Sequence, residues 1–178
     1  MADLTINTDV AREILTGFIR SEVTRVGYSR AVINLSGGLD SALSLVLAVE
    51  ALGAENVFAL RLPYRTSSPD SLEHAQLLID QFQVPSETID ISDMADPLIQ
   101  RDPNISKVRK GNILARMRMI VMYDKTEVFK GLPIGTSNKT EILLGYSTQW
   151  GDSASAVNPI GDLYKHQIYQ LSRHLGVP

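Results

Sequence analysis

The sequence contains no cysteine, and this absence excludes several kinds of chemistry at once. Without thiols the chain forms no disulfide bond, no thiolate metal site and no cysteine nucleophile. Aromatic residues make up only 6% of the 178 residues, and no apolar run approaches the roughly 20 residues that a membrane span requires. The first stretch, "MADLTINTDVAREIL", lacks the basic and apolar regions of a signal peptide. We therefore expect a cytoplasmic protein without a membrane partner.

Neither sign of charge dominates the composition. The formal net charge is -3, with 21% charged residues, so there is no overall bias toward nucleic acid, and we expect no nucleic-acid partner. Hydrophobic residues are plentiful at 44%, which is enough to build a core. A chain of this length fits one domain, residues 1–178.

Apolar periodicity divides the chain into alternating strands and helices. The pattern predicts strands over residues 30–35, 56–62, 86–91 and 132–136, the third being the weakest. It predicts helices over residues 8–26, 39–52, 68–82, 112–129, 138–146 and 164–175. Residues 97–111 contain two prolines and are predicted to be irregular. Alternation of this kind indicates an α/β fold, a doubly wound parallel sheet with helices on both faces.

The first helix has a defined expected face and start. We predict an N-cap at Thr8 or Asp9 and a stop at Gly27. The residues at helical spacing that form its predicted apolar face are Val10, Ile14, Phe18, Ile19, Val23 and Val26.

The segment "SGGLDS", residues 36–41, leaves the first predicted strand and begins a helix. Such a loop presents unpaired backbone N–H groups and the positive end of a helix dipole, and glycines let a ligand approach closely. These features favour a phosphate chain, although the lysine of a Walker A loop is missing. Asp40 would repel phosphate unless a cation lies between, so we infer Mg²⁺. The alternative is a tight turn in which Asp40 only complements the helix dipole.

Two later segments also carry polar side chains with two interpretations. Asn112 and Arg116 are four residues apart and share one helix face, which suits an anionic ligand or simply a solvated basic surface. Glu141 follows the strand that ends near Thr136, and it either completes a capping box with Asn138 or shares Mg²⁺ with Asp40. Spacing alone does not decide between these interpretations.

Five segments together carry a resemblance. "SGGLDS" resembles the pyrophosphate loop of the N-type ATP pyrophosphatases. With "RLPY", "KGNILARMRM", "GTSNKTEILLGYSTQWGD" and "PIGDLYKHQIYQLSRHLGVP", the chain resembles the ammonia-dependent NAD synthetase family over nearly its whole length. The resemblance implies a PP-loop (adenine nucleotide alpha-hydrolase) fold and amidation of nicotinate adenine dinucleotide (deamido-NAD). The implied participants are ATP, Mg²⁺ and ammonia, acting through an acyl adenylate in a homodimer.

The same resemblance implies roles for individual residues. The implied ATP-binding residues are Ser36, Gly37, Gly38, Asp40, Ser41, Arg61, Thr136 and Lys165. The implied substrate-binding residues are Asn112, Arg116, Tyr146 and Asp152. The implied metal ligands are Asp40 and Glu141, and the implied catalytic residues are Asp152 and Lys165.

Some features depart from the family or leave alternatives open. Val108 stands where some relatives have phenylalanine, and the family continues beyond residue 178, so we expect a C-terminal part to be lacking. The rivals are another PP-loop enzyme, such as the synthetase half of GMP synthetase, and a non-catalytic ATP-binding module. Trp150 is interpreted as a core aromatic, and the three histidines as surface or packing residues. The helix over residues 112–129 is expected at a dimer interface, because it is apolar on more than one side.

Overall fold

The computed structural model describes residues 3–178, and the element bounds below refer to that range. The strands are β1 (Ala31–Asn34), β2 (Val57–Arg61), β3 (Ser86–Thr88) and β4 (Leu132–Ile134). The α-helices are α1 (Thr8–Arg25), α2 (Leu39–Leu52), α3 (Pro69–Phe82), α4 (Ser92–Ile99), α5 (Lys107–Phe129), α6 (Lys139–Leu144) and α7 (Lys165–His174). The strands form one parallel sheet in the order β3-β2-β1-β4, as expected for the predicted α/β fold.

Helices cover both faces of the sheet, which confirms the doubly wound arrangement. Successive residues of β1 point to opposite faces, so Ile33 packs with α1, α2, α3 and α7, whereas Val32 packs with α4 and α5. Neighbouring strands that are buried on both faces are expected to be short, apolar and β-branched, as β1 is. In a sheet of this order, the strand order reverses between β1 and β4, and ligands bind in a crevice at the carboxyl ends of such strands.

The first helix has the predicted extent but a different cap and a smaller buried face. Its N-cap is Asn7, whose side chain accepts a hydrogen bond from the Val10 N–H at 3.1 Å, and not Thr8 or Asp9. Of the predicted apolar face, only Ile19 and Val23 are buried. The exposed members are Val10, Ile14, Phe18 and Val26. Ile19 lies about 100° around the helix from Phe18, so both cannot face α2 and α7 equally.

The prediction that residues 97–111 are irregular is wrong for most of that segment. Helix α4 contains Pro97, and α5 begins at Lys107, so only residues 100–106 lie outside helices. Proline removes one hydrogen bond from α4, but burial of Ala95 and Ile99 against the sheet compensates. The start of α5 is fixed by Ser106, whose Oγ accepts the Arg109 N–H at 3.3 Å.

The third strand is also shorter than predicted, ending at Thr88 instead of residue 91. The backbone nonetheless continues beside β2, because the Ile91 N–H donates to the Pro63 carbonyl at 2.9 Å. Within residues 3–178, no helix combines the length and apolar character needed to cross a membrane.

Candidate active site

A cavity of about 550 Å³ lies at the carboxyl ends of β1, β2 and β4. This is the position at which doubly wound sheets bind ligands. Seven of the residues implied by the resemblance line it: Ser36, Gly38, Asp40, Ser41, Thr136, Glu141 and Asp152. Three further serines complete one wall after β2: Ser67, Ser68 and Ser71. The cavity therefore combines hydroxyl groups, carboxylates and a helix N-terminus.

The loop over residues 36–41 is held by its own serines. Ser41 Oγ donates to the Gly38 carbonyl at 2.8 Å and accepts the Ser36 N–H at 3.2 Å. Helix α2 begins directly after Gly38, and no side chain among residues 3–178 caps its first N–H groups. These N–H groups and the dipole of α2 form a site suited to an anion.

The two glycines of this loop have different roles. Gly37 has a φ of +80°, and a Cβ there would overlap the backbone carbonyl of Ser71. Its lack of a side chain is therefore required by close packing against α3 as well as by its φ. A Cβ on Gly38 would meet only Ser36 Oγ, at 3.4 Å, and Gly38 lines the cavity. Gly38 is thus the glycine that leaves room for a ligand.

Asp40 is the point where three distant parts of the chain meet. Its Oδ1 accepts a hydrogen bond from Asn138 Nδ2 at 3.1 Å, and its Oδ2 forms an ion pair with Lys165 Nζ. Lys165 is the first residue of α7, where its N–H donates to Thr140 Oγ1 at 3.0 Å. The loop after β1, the loop after β4 and α7 are therefore joined through one carboxylate.

The capping box at the start of α6 is confirmed. The Glu141 N–H donates to Asn138 Oδ1 at 3.0 Å, and the Asn138 N–H donates to Glu141 Oε2 at 3.2 Å. Asn138 is completely buried, so it serves both this cap and Asp40. Glu141 Oε1 has no hydrogen-bond partner among residues 3–178, and the residue lines the cavity. The cap thus leaves one carboxylate oxygen for a ligand.

These residues fit a magnesium ion by the chemistry of their donors. Asp40 and Glu141 present hard carboxylate oxygens to one cavity, the donors that Mg²⁺ prefers. No group of three or more His, Cys, Asp or Glu side chains in the described chain is placed to hold a metal. Two protein ligands suit Mg²⁺, which keeps several waters and is commonly shared with substrate phosphates.

Comparison with known proteins matches the chain to one family. The sequence pattern of the family described as NAD synthase matches residues 11–178. The chain belongs to the NAD synthase family. It is 53% identical over 176 residues to the NH(3)-dependent NAD(+) synthetase of Chlorobium phaeovibrioides, covering 99% of this chain and 64% of that protein. It is 51% identical to the enzyme of the same name from Trichlorobacter lovleyi, covering 100% of this chain and 65% of that protein.

Solved structures of NAD synthase relatives have the same fold. The NH3-dependent NAD synthetase of Campylobacter jejuni superposes with a TM-score of 0.92 at 41% identity, over 97% of this chain and 75% of that one. The NMN synthetase of Francisella tularensis superposes with a TM-score of 0.91 at 30% identity, over 98% of this chain and 73% of that one. The predicted resemblance and the PP-loop fold are confirmed, and the chain spans just under two thirds of the curated relatives' length.

The residues expected on the substrate side of this NAD synthase fold surround one loop. Asn112 Oδ1 accepts a hydrogen bond from Thr148 Oγ1 at 2.8 Å, and Arg116 Nε donates to the Gln149 carbonyl at 3.2 Å. The Thr148 N–H donates in turn to Asp152 Oδ1 at 2.6 Å. Helix α5 therefore holds the loop that carries Asp152 into the cavity wall. Arg116 itself remains exposed, so binding of an anionic ligand by Asn112 and Arg116 stays a prediction.

Trp150 and Arg61 lie differently from the expectation, whereas the position of Tyr146 leaves its expected role untested. Trp150 is 70% exposed, so its interpretation as a core aromatic is wrong, and Tyr146 is 78% exposed. Arg61 does not line the cavity; its Nη1 hydrogen-bonds Gln76, and its Nε is buried without a partner among residues 3–178. His74, His166 and His174 lie on the surface, as interpreted.

Sequence reasoning missed two residues that the geometry singles out. Asn138 was considered only as a cap, and its contact with Asp40 spans 98 positions, which no local spacing reveals. Arg118 lines the cavity beside Ala115, Met119 and Met122. These four residues follow the spacing of one helix face, so an arginine inside an apolar stripe was the available signal.

Proposed function

We propose that this protein amidates nicotinate adenine dinucleotide with ammonia, consuming ATP and releasing NAD, AMP and pyrophosphate. The observation that carries the proposal is the environment of Asp40, in a chain of the NAD synthase family. Asp40 lies in the first turn of α2. Its side chain lines the cavity together with Glu141 and forms an ion pair with Lys165. These are the groups that a triphosphate and its cation require in one place.

The nucleotide side is proposed to hold the phosphates of ATP. The N–H groups at the start of α2, which no side chain among residues 3–178 caps, and the hydroxyls of Ser36 and Thr136 supply donors. We propose ATP binding by Ser36, Gly37, Gly38, Asp40, Ser41, Thr136 and Lys165, whereas Arg61 has that role only by resemblance, because it does not line the cavity. Among these, Gly37 would act by shaping the loop and not by contact, because it packs against Ser71.

Asp40 and Glu141 are the proposed ligands of Mg²⁺. When bound, the ion would neutralise charge on the phosphate oxygens during displacement. Lys165 forms an ion pair with Asp40. We propose that, when ATP binds, the ammonium group of Lys165 moves from Asp40 toward a phosphate oxygen. The buried Asn138 keeps Asp40 in place during that exchange.

The reaction needs activation because a carboxylate is a poor electrophile. We propose that the nicotinate carboxylate oxygen attacks the α-phosphorus of ATP and that pyrophosphate leaves, giving an acyl adenylate. The N–H groups of the loop and Lys165 would stabilise the charge that develops. Ammonia then attacks the acyl carbon, and AMP leaves with the electron pair of the broken C–O bond.

Asp152 is the proposed acceptor of the proton that ammonium loses. Its Oδ1 accepts the Thr148 N–H, whereas its Oδ2 has no hydrogen-bond partner among residues 3–178. The side chain lines the cavity, so this second oxygen is available to the nitrogen nucleophile. These 178 residues contain no cysteine nucleophile for a glutamine-hydrolysing step, and ammonia is the proposed nitrogen donor.

Asn112, Arg116 and Tyr146 are proposed to bind the dinucleotide substrate beside this loop. The first two contact residues 148–149, and the exposed ring of Tyr146 lies two residues before Thr148. An exposed aromatic ring can stack on the nicotinate ring.

One relative supports a second candidate substrate, the mononucleotide. The Francisella tularensis structure named NMN synthetase has nearly the same fold over 98% of this chain. Nicotinate mononucleotide carries the same reacting carboxylate, so the same cavity could activate it.

The test measures products from defined substrates. Protein with ATP and Mg²⁺ is incubated with either nicotinate nucleotide, with and without ammonium, and AMP, NAD and NMN are quantified. We expect AMP and NAD to form in equal amounts with the dinucleotide and ammonium. NMN formation alone would favour the second candidate. AMP that forms without any acid substrate, or no AMP at all, would contradict both.

We also propose that the protein acts in the cytoplasm as a homodimer. Helix α5 keeps Ile120, Tyr123 and Val128 exposed, whereas Val121 and Met122 are buried against the sheet. A second copy could cover those exposed residues. Sedimentation at micromolar concentration would contradict this if it gave a monomer.

A further inference from the structure

Arg118 is a charged cavity residue that the proposed reaction has not used. It lies on the face of α5 that also carries Met119 and Met122, and all three line the cavity. Its Nε donates to the Leu62 carbonyl at 2.9 Å, directly after β2. This bond fixes the guanidinium group at the wall that also carries the serines after β2.

The two Nη atoms of Arg118 are available to a ligand. Among residues 3–178, neither Nη atom of Arg118 makes a hydrogen bond, and no carboxylate is ion-paired with it. Arg118 is also the one Lys or Arg residue among the described residues that line the cavity. Burial lowers the pKa of Arg118, which indicates lost hydration, although arginine stays protonated at neutral pH.

A purely structural arginine would need only the bond from Nε to a carbonyl. Arg20 provides that case in the same chain, since its Nε donates to the Ala51 carbonyl at 3.0 Å between α1 and α2. Both bonds are partly buried, but Arg20 does not line the cavity. The two arginines are therefore matched in anchoring and differ in access to the ligand.

We propose that Arg118 binds an anionic oxygen of the ligand in the cavity through its Nη groups, with the identity of that ligand resting on the proposed function. A planar guanidinium fork matches both carboxylate and phosphate oxygens. The proposed substrates supply two such groups, the nicotinate carboxylate and the phosphates of the nucleotides. A partly desolvated cation without a partner gains more from such an oxygen than a solvated one does.

Calorimetric titration of the whole protein tests the proposal with three probes: α,β-methylene-ATP, nicotinate adenine dinucleotide and NAD. The variants are Arg118→Gln, Arg118→Lys and, as the matched control, Arg20→Gln. We expect Arg118→Gln to weaken the binding of at least one probe by about tenfold to a hundredfold. Arg118→Lys should weaken it by at least about threefold, because ammonium lacks the planar fork. Arg20→Gln should stay within about twofold of the wild type.

The probes also separate the two possible oxygens. If Arg118 binds the carboxylate, only nicotinate adenine dinucleotide is weakened, because NAD differs from it by an amide at that position. If Arg118 binds a phosphate, the ATP analogue or both dinucleotides weaken together. Should Arg118→Gln fail to fold, Arg118→Lys carries the test.

The proposal would be overturned if folded Arg118→Gln bound all three probes as tightly as the wild type does. If only Arg118→Lys folds, unchanged affinity of that variant for all three probes would overturn it. An equal loss in Arg20→Gln would also overturn it. Wild-type binding without NAD formation would contradict the proposed function and leave the assignment of Arg118 standing. A wild-type protein that binds none of the probes would overturn both.

Discussion

The two sides of the cavity are built differently. On the nucleotide side, the buried Asn138 joins Asp40 to Glu141, and Lys165 closes the group with an ion pair. On the substrate side, the loop with Asp152 is tied to α5 by two hydrogen bonds, and Tyr146 and Trp150 beside it are exposed.

This difference follows the distribution of charge in the proposed reaction. Negative charge develops on phosphate oxygens, and stabilising it requires groups that are fixed before the ligand arrives. The proposed acid substrate carries planar rings, on which exposed aromatic side chains can stack. The side chains around Asp40 are therefore fixed to one another by direct contacts before a ligand binds.

The largest effect is expected from Asp40→Asn, which keeps the shape but removes the charge that pairs with Lys165. Pyrophosphate release should fall by about a hundredfold or more, because phosphate charge loses its cation. The matched control is Asp93→Asn, also in the first turn of a helix but exposed on α4. Equal small losses in both variants, measured as pyrophosphate release, would mean that Asp40 only complements the helix dipole.

Glu141→Gln separates the cap of α6 from the proposed metal site. Glutamine also completes a capping box, so the free energy of unfolding should change by less than about 0.5 kcal/mol. Pyrophosphate release should nevertheless fall by about tenfold or more, since an amide is a poorer ligand for Mg²⁺. Near-normal rates across a magnesium titration would leave Glu141 as a capping residue alone.

Asn138 tests whether the nucleotide side is rigid because of one buried amide. Asn138→Ala removes the cap and leaves polar groups unpaired, so the free energy of unfolding should fall by about 2 kcal/mol. Asn138→Asp keeps a capping oxygen but buries a second carboxylate beside Asp40, so it should lower both the free energy of unfolding and the rate of pyrophosphate release at least as much as Asn138→Ala does. Urea denaturation and pyrophosphate release measure the two effects. Wild-type stability in Asn138→Ala would contradict the role of the buried amide.

The sequence predicted the layers of the fold and one side of the cavity well. Apolar periodicity located β1, β2 and α2, because buried strands and helices repeat at fixed spacings. It missed α4, since Pro97 breaks the local pattern and only packing against the sheet compensates. "SGGLDS" and Glu141 were found because the carboxyl ends of parallel strands share one edge.

The remaining contacts depend on tertiary placement. Lys165 reaches Asp40 across 125 positions, and its pairing depends on how α7 packs on α2. Arg116 and Arg118 are two residues apart, but a helix turns about 200° between them, so they face different surroundings. The spacing of Asn112 and Arg116 predicted a shared polar face. Arg118 lies among apolar residues in the sequence, so its position in the cavity wall was not predicted.

The smallest effect on stability is expected from Trp150→Gly, on the substrate side. Trp150 is 70% exposed and has a φ of +58°, which glycine adopts without cost. Relief of that backbone strain roughly offsets the greater freedom of glycine in the unfolded chain, so the free energy of unfolding should change by less than about 0.5 kcal/mol. A core tryptophan would instead cost about 3–5 kcal/mol on truncation.

Because Trp150 is the single tryptophan of the chain, its fluorescence reports on this loop directly. We expect red-shifted emission and easy quenching by acrylamide in dilute protein, as for an exposed indole. Nicotinate adenine dinucleotide should shift the emission to the blue at constant protein concentration if the substrate covers the loop. A blue shift that appears only as protein concentration rises would assign the covering surface to a second copy instead. Blue emission that acrylamide cannot quench, in dilute protein without ligand, would mean that Trp150 is buried. The substrate side would then be as closed as the nucleotide side before any ligand binds, contrary to the difference described above.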